Sequence, residues 1–283
     1  MKARRLGRTD LLVSEIGFGG SNVGAVEEGE EALVTAFSQG ITFVETGRAY
    51  QGSEFAVGNA LKRLGAKANS VHVASKTLGR SRDAALRDLE QSLHYLGRQS
   101  LDIYQLASVS DEDWERVVSD GGAWEGLREA RENGLIRFIG ISSHSLDVLR
   151  KAIKCGRFDT VQLKYSAFDN TSAALIRLAH KRDVGVIGMK PFSGFGMLGS
   201  LKHSPYEATL SAPTLLRYVL SNPLISVSIP GMRFPREVEQ NVQTAETYDL
   251  MTTAARLRLR NQAKRFLSGV PRPVARGPHE RNA

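Results

Sequence analysis

The stretch Gly40-Ile41-Thr42-Phe43-Val44-Glu45-Thr46-Gly47-Arg48-Ala49-Tyr50-Gln51-Gly52-Ser53-Glu54 carries the pattern from which the fold of this chain is read. A short apolar run at 42–45 reads as a buried strand ending on a carboxylate, Glu45. A turn then presents Tyr50, and Ser53-Glu54 opens a helix. The same unit recurs outward in both directions. Strand-like runs at 15–18, 42–45, 71–76, 102–107, 136–142, 160–162, 184–190 and 226–229 alternate with helical patterns at 28–39, 54–64, 82–96, 124–133, 146–154, 172–181 and 213–221. Most of those helices repeat apolar residues every three or four positions. The reading is eight strand–helix repeats, the count for a closed parallel (β/α)8 barrel of the TIM type, an α/β fold. Asn133-Gly134 is a helix stop, and Pro213 suits a first helical turn. Residues 4–20 predict a β-hairpin turning near 7–10 before the first barrel strand, and an extra C-terminal helix is expected near 252–266.

At 283 residues and 41% hydrophobic composition, the chain is long enough for one such barrel, expected over 1–266. The net charge of +8 is concentrated at one end: from Arg256 onward eight Arg or Lys face one acid, Glu280, which leaves the body near neutral. Residues 267–283 read as a basic, disordered tail, since Pro, Gly and Arg dominate there. Nucleic-acid binding through that tail is the weaker alternative to a solvated end. The single cysteine, Cys155, excludes an internal disulfide and a cysteine-rich cluster and suits a reducing compartment. With no run of about 20 apolar residues, the expectation is a soluble, cytoplasmic protein without membrane contact.

Side chains two apart on a strand share a face. Taking the last polar residue of each strand as inward groups Glu45 with Phe43, Lys76 with Ala74, Ser142 with Gly140, Gln162 with Thr160, Lys190 with Gly188, and Ser228 with Ser226. Polar residues gathered at the carboxyl ends of otherwise apolar strands are the organisation of a barrel's active-site mouth.

The opening stretch resembles the signature of the aldo-keto reductases: a strand, Asp-Thr-Ala, two residues, Tyr, then Glu at a helix start. Glu45 stands where that pattern has aspartate, Gly47 where it has alanine, and Tyr50 at the proton donor. The resemblance spans about residues 1–245 and is nearest to a bacterial branch with Met189-Lys190-Pro191 and Ile229-Pro230-Gly231-Met232 wording. It implies NADPH-dependent reduction of a carbonyl or related unsaturated small molecule. A tyrosine with its ordinary pKa of about 10 is a poor acid at neutral pH. Lys76, ending Val71-His72-Val73-Ala74-Ser75-Lys76, is the expected remedy, because an ammonium about 4 Å away at an effective dielectric near 20 is worth about 4 kcal/mol. Glu45 would keep that lysine charged and oriented.

The family's remaining catalytic residue is a histidine ending strand four. Here the segment reads Asp102-Ile103-Tyr104-Gln105-Leu106-Ala107-Ser108, with Ala107 at that position. Losing one such donor costs roughly two to three powers of ten in turnover. Three readings stand: Ser108, Gln105 or a water donates instead, or the substrate needs the space beside Ala107 and Ser108, or catalysis is lost. The last makes the chain an NADPH-binding sensor or scaffold.

For the cofactor, the resemblance implies Ser142, Ser143 and Gln162 at the nicotinamide carboxamide, with Gly20 and Ser21 at the end of the first strand. Lys190, Pro191, Phe192, Ser193 and Gly196 belong to the loop over the pyrophosphate. Ser228, Gly231, Arg233, Arg236, Gln240 and Asn241 belong to the adenine end. The two arginines suit a ribose phosphate, which favours NADPH over NADH. Other chemistries fail on pattern. Gly17-Phe18-Gly19-Gly20-Ser21-Asn22 lacks the third glycine of a dinucleotide fingerprint, His144 spoils a serine-hydrolase elbow at Gly140, and the six histidines lack metal-ligand spacing.

Overall fold

The computed structural model describes residues 1–194 and 196–269. A hairpin comes first: β1 (Ala3–Arg5) pairs antiparallel with β2 (Leu12–Ser14) across a single 3-10 turn at Gly7–Thr9. The barrel then runs β3 (Phe18–Gly19), α1 (Gly29–Ser38), β4 (Phe43–Glu45), α2 (Ser53–Leu64), β5 (His72–Thr77), α3 (Arg82–Leu96) and β6 (Leu101–Leu106). Two helices, α4 (Trp114–Val118) and α5 (Ala123–Glu132), lead to β7 (Ile136–Ser142), α6 (Leu146–Cys155), β8 (Thr160–Lys164), α7 (Ala173–Lys181) and β9 (Gly185–Met189). Helices α8 (Met197–Leu201) and α9 (Ala212–Leu220) precede β10 (Val227–Ile229), after which come α10 (Pro235–Thr247) and α11 (Thr253–Gly269).

Strands β3 to β10 lie parallel in sequence order, each bonded to the next. The ring closes between its ends: Gly17 N–H donates to Ser228 O (2.8 Å), Ser228 N–H to Glu15 O (2.9 Å) and Gly19 N–H to Pro230 O (2.9 Å). This is the expected (β/α)8 barrel. Inside it, Phe43, Ala74, Ile103, Ile187, Val227 and Ile229 meet Leu6, Leu11 and Val13 of the hairpin segment, which plugs the floor. Burying each large apolar side chain contributes roughly 1.5–3 kcal/mol. Gly7 is essential to this closure, because its φ is +52° and a Cβ would lie 2.2 Å from Gly185 N. Arg4 fastens the hairpin from outside, donating to Glu15 (2.7 Å) and to the carbonyls of Leu220 and Ile225 (both 2.8 Å).

Several expectations are corrected. The first strand, placed at 15–18, has its ladder at Phe18–Gly19, beginning three residues later and ending one later. The eighth helix, α10, was not anticipated; Pro235 starts it, Glu237 accepts the Arg233 and Phe234 N–H groups (2.7 and 3.4 Å), and Val238, Val242 and Ala245 bury one stripe. The C-terminal helix, expected near 252–266, runs as α11 to Gly269. The rest of the expected disordered tail, 270–283, lies outside the described residues. Inward residues on the last two strands are Ile187 and Val227, not Gly188 and Ser226, because the register pairs Gln162 with Ile187 and Ile187 with Val227. Lys190 lies beyond β9 with φ +57°, where strand alternation no longer applies. Among the described residues, no helix is long and apolar enough to cross a membrane.

Candidate active site

Glu45 ends β4 with its side chain inside the barrel, and its burial dictates the rest: it is 2% exposed, and a carboxylate there must be paired. The partner is Lys76 of β5, whose ammonium donates to Glu45 Oε1 and to Thr46 O (2.8 Å). The same Oε1 accepts from Gln162 Nε2 (2.9 Å) and from the Tyr50 hydroxyl (3.4 Å). Gln162 Oε1 in turn accepts from Gln105 Nε2 (2.9 Å). Four strands thus supply one polar chain across the mouth. Behind it, Gln105 Oε1 and Thr160 Oγ1 are buried without a partner beside Gly140.

Tyr50 is held by its turn. Gly52 takes φ +67° and starts α2, while Glu54, 3% exposed, accepts from Arg48 Nη1 and Ser75 Oγ (both 2.6 Å). The motif's glutamate therefore pins the tyrosine loop to β5. Lys76 Nζ lies 4.1 Å from the centroid of the Tyr50 ring, so the ammonium faces the ring while the phenol oxygen faces the carboxylate. Here the expected electrostatics are corrected. Burial, then the Glu45 charge and hydrogen bond, push the Tyr50 phenol well above its ordinary pKa instead of toward neutrality. Burial likewise pulls the Lys76 ammonium downward, with Glu45 opposing.

Ala107 is 4% exposed; its N–H donates to Thr77 O (2.8 Å) and its carbonyl accepts from Arg80 Nη2 (2.9 Å). Of the two side chains weighed as substitute donors, Gln105 is wholly buried and committed to Gln162, whereas Ser108 is exposed at φ +50°. Ser142 Oγ accepts from Ser108 N–H (3.1 Å), and Ser143 Oγ donates to Val109 O (2.6 Å) and accepts from Ser145 N–H (3.0 Å). These serines tie the loop after β6 to the end of β7. Arg80, bonded also to Asp113 (2.9 Å), braces the same loop and was not singled out from sequence; no pattern marks it.

The remaining predicted residues follow the rim. Gly20 is buried, donating to Glu45 O (2.8 Å) and accepting from Ser53 Oγ (2.7 Å), while Ser21 is exposed. Lys190 is exposed and Pro191 buried, Phe192 is half-buried, and Ser193 N–H donates to Lys190 O (2.8 Å). Gly196, at φ +84°, caps α8. Burial and Lys164 hold the Lys190 ammonium below its ordinary range, and burial with both lysines lowers the His144 imidazole, which marks a positive field over the ends of β7 to β9. Ser228 is buried with Oγ unpartnered. At Gly231 an added Cβ would find nothing nearer than 3.9 Å. The guanidinium groups of Arg233 and Arg236 lie 5.3 and 5.2 Å from the Phe234 ring. On α10, Gln240 is exposed and Asn241 buried. Among the described residues, no cluster of His, Cys, Asp and Glu is arranged to hold a metal.

The family model described as Aldo/keto reductase family matches residues 15–210. An L-galactose dehydrogenase of Arabidopsis thaliana is 28% identical over 86% of this chain and 87% of its own length. An uncharacterized oxidoreductase of Bacillus subtilis, YqkF, is 24% identical over 87% and 91%. Among solved structures, the holo form of an aldo-keto reductase from Bacillus halodurans superposes with a TM-score of 0.78 at 24% identity, covering 94% of this chain and 96% of that one. An aldo-keto reductase from Klebsiella pneumoniae in complex with NADPH gives 0.76 at 22% identity, covering 92% and 94%.

Proposed function

This chain belongs to the aldo/keto reductase family, and from that premise we propose that it is an NADPH-dependent reductase of a small carbonyl compound with Tyr50 as proton donor. The observation that carries the reading is the shared Glu45 oxygen, which draws Lys76 and Tyr50 to one point at the barrel mouth. NADPH supplies the hydride when bound. At the phosphate-bearing end the residues fit it: Lys190 lies in the positive field beside Lys164, Arg233 and Arg236 flank Phe234, Gly231 is open, and Ser228 Oγ has no internal partner. Gly20, Ser21, Pro191, Phe192, Ser193, Gly196, Gln240 and Asn241 complete that set. At the nicotinamide end, Ser142, Ser143 and Gln162 have internal partners, so each would exchange or share a hydrogen bond with the carboxamide.

The raised pKa has a consequence for the mechanism. Tyr50 keeps its proton at neutral pH and gives it to the carbonyl oxygen as negative charge develops there. The ammonium of Lys76 stabilises the phenolate left behind, and Glu45, held by Gln162, keeps Lys76 charged and in place. Ala107 supplies no hydrogen bond from its side chain, so Ser108 is the exposed hydroxyl available to orient the carbonyl. Loss of that donor restricts the substrates or slows the reaction. The one cysteine suits a cytoplasmic site of action.

A fluorescence titration with NADPH, followed by a carbonyl panel on the same sample, tests the reading. Tyr50→Phe is expected to bind the cofactor and lose turnover. Cofactor binding without oxidation across the panel would favour the sensor or scaffold reading.

A further inference from the structure

The Lys76 side chain lies directly over Gly47. A Cβ at that position would sit 2.7 Å from Lys76 Cγ, 3.3 Å from Cε and 3.4 Å from Nζ. Gly47 is absent from the positive-φ glycines, so the backbone itself does not require glycine there. What the position requires is the missing methyl group.

Nor can Lys76 move aside. Its ammonium is fixed by Glu45 and Thr46 O and covers the Tyr50 ring, while Glu45 is fixed by Gln162 and Gln162 by Gln105. In a packed interior the stem has one path between these anchors, and that path passes over residue 47. We propose that Gly47 is a positioning residue for Lys76, size-matched to Glu45: the longer carboxylate sets where the ammonium rests, and the absent methyl leaves room for the stem to reach it. Relative to the Asp-Thr-Ala pattern, one methylene is added at 45 and one carbon removed at 47, so neither change is tolerated alone.

The proposal rests on the reductase reading, and its test separates the two. Glu45→Asp, Gly47→Ala and the double substitution are made in the full chain, and kcat and KM are measured with NADPH and whichever carbonyl the wild type reduces. Separately, the 13Cε resonance of Lys76, assigned with Lys76→Met, is followed by NMR in lysine-labelled protein. Each single substitution is expected to lower kcat about 100-fold while KM for NADPH stays within about threefold, and the double to regain at least about tenfold. The Lys76 resonance should move in both single variants and return in the double. Losses that multiply in the double, or a Gly47→Ala protein unchanged in kcat and in the Lys76 resonance, would overturn the pairing. Absence of wild-type turnover would overturn the reductase reading alone, because the resonance decides the pairing without it.

Discussion

Lys76→Met isolates the ion pair on which the site is built. The substitution keeps most of the stem volume but leaves the Glu45 carboxylate, 2% exposed, with hydrogen bonds from Gln162 (2.9 Å) and Tyr50 (3.4 Å) and without its ammonium partner. Thr46 O also loses its 2.8 Å donor. Removing one member of a buried pair costs about 3–5 kcal/mol, because the remaining charge has no compensation. Replacing both members removes the charge problem: in Glu45→Gln/Lys76→Met the amide oxygen still accepts from Gln162, and at least half of the loss should return. Urea unfolding at pH 7, followed by far-ultraviolet circular dichroism, measures all three proteins. A single variant within about 1 kcal/mol of wild type, or a double no more stable than the single, would refute the reasoning.

Ala107→His should raise kcat/KM on simple aldehydes by at least about tenfold, part of the two to three powers of ten that one donor is worth; no gain across an aldehyde panel would show that the alanine is not what limits them. The Tyr50 phenol, raised in the folded state, contributes stability that is whole below the unfolded value of about 10 and is lost as pH climbs past it. Tyr50→Phe should therefore lose less stability than wild type between about pH 10 and 12 in the same urea assay. Arg4→Met strands Glu15, fully buried, with Tyr248 (2.8 Å) and the Lys2 N–H (3.3 Å), and should cost about 3–5 kcal/mol in that assay; a loss below about 1 kcal/mol would remove the hairpin fastening from the account.

Periodicity exposed most of the barrel because each repeat buries both faces of a strand and one stripe of a helix. Ile136–Ser142 and Arg82–Leu96 were legible to the residue. Helix α10 is absent from the expected pattern although Pro235, Glu237 and the Val238, Val242, Ala245 stripe all signal it, because Arg233, Arg236, Gln240 and Asn241 flank and interleave that stripe with polar side chains suited to a ligand. The inward faces of β9 and β10 do not follow their last polar residues: Lys190 lies past the end of β9 and itself takes the left-handed conformation, while in β10 Ser228 sits between the inward Val227 and Ile229. In the site, the nearness of Glu45, Tyr50 and Lys76 follows from adjacent strands. The sign of the Tyr50 shift does not, because it is decided by how deeply the phenol is buried and which group its oxygen meets. The Gln105–Gln162–Glu45 chain depends on a cross-barrel distance no local pattern encodes.

The most direct test of the central claim is NADPH oxidation at 340 nm in the presence of a panel of small aldehydes and ketones, run side by side on wild type and Tyr50→Phe. The account predicts consumption by the wild type with at least one carbonyl, and none by the variant although it still binds the cofactor. Equal rates in the two proteins would contradict it, since the phenol would then have no part in the reaction.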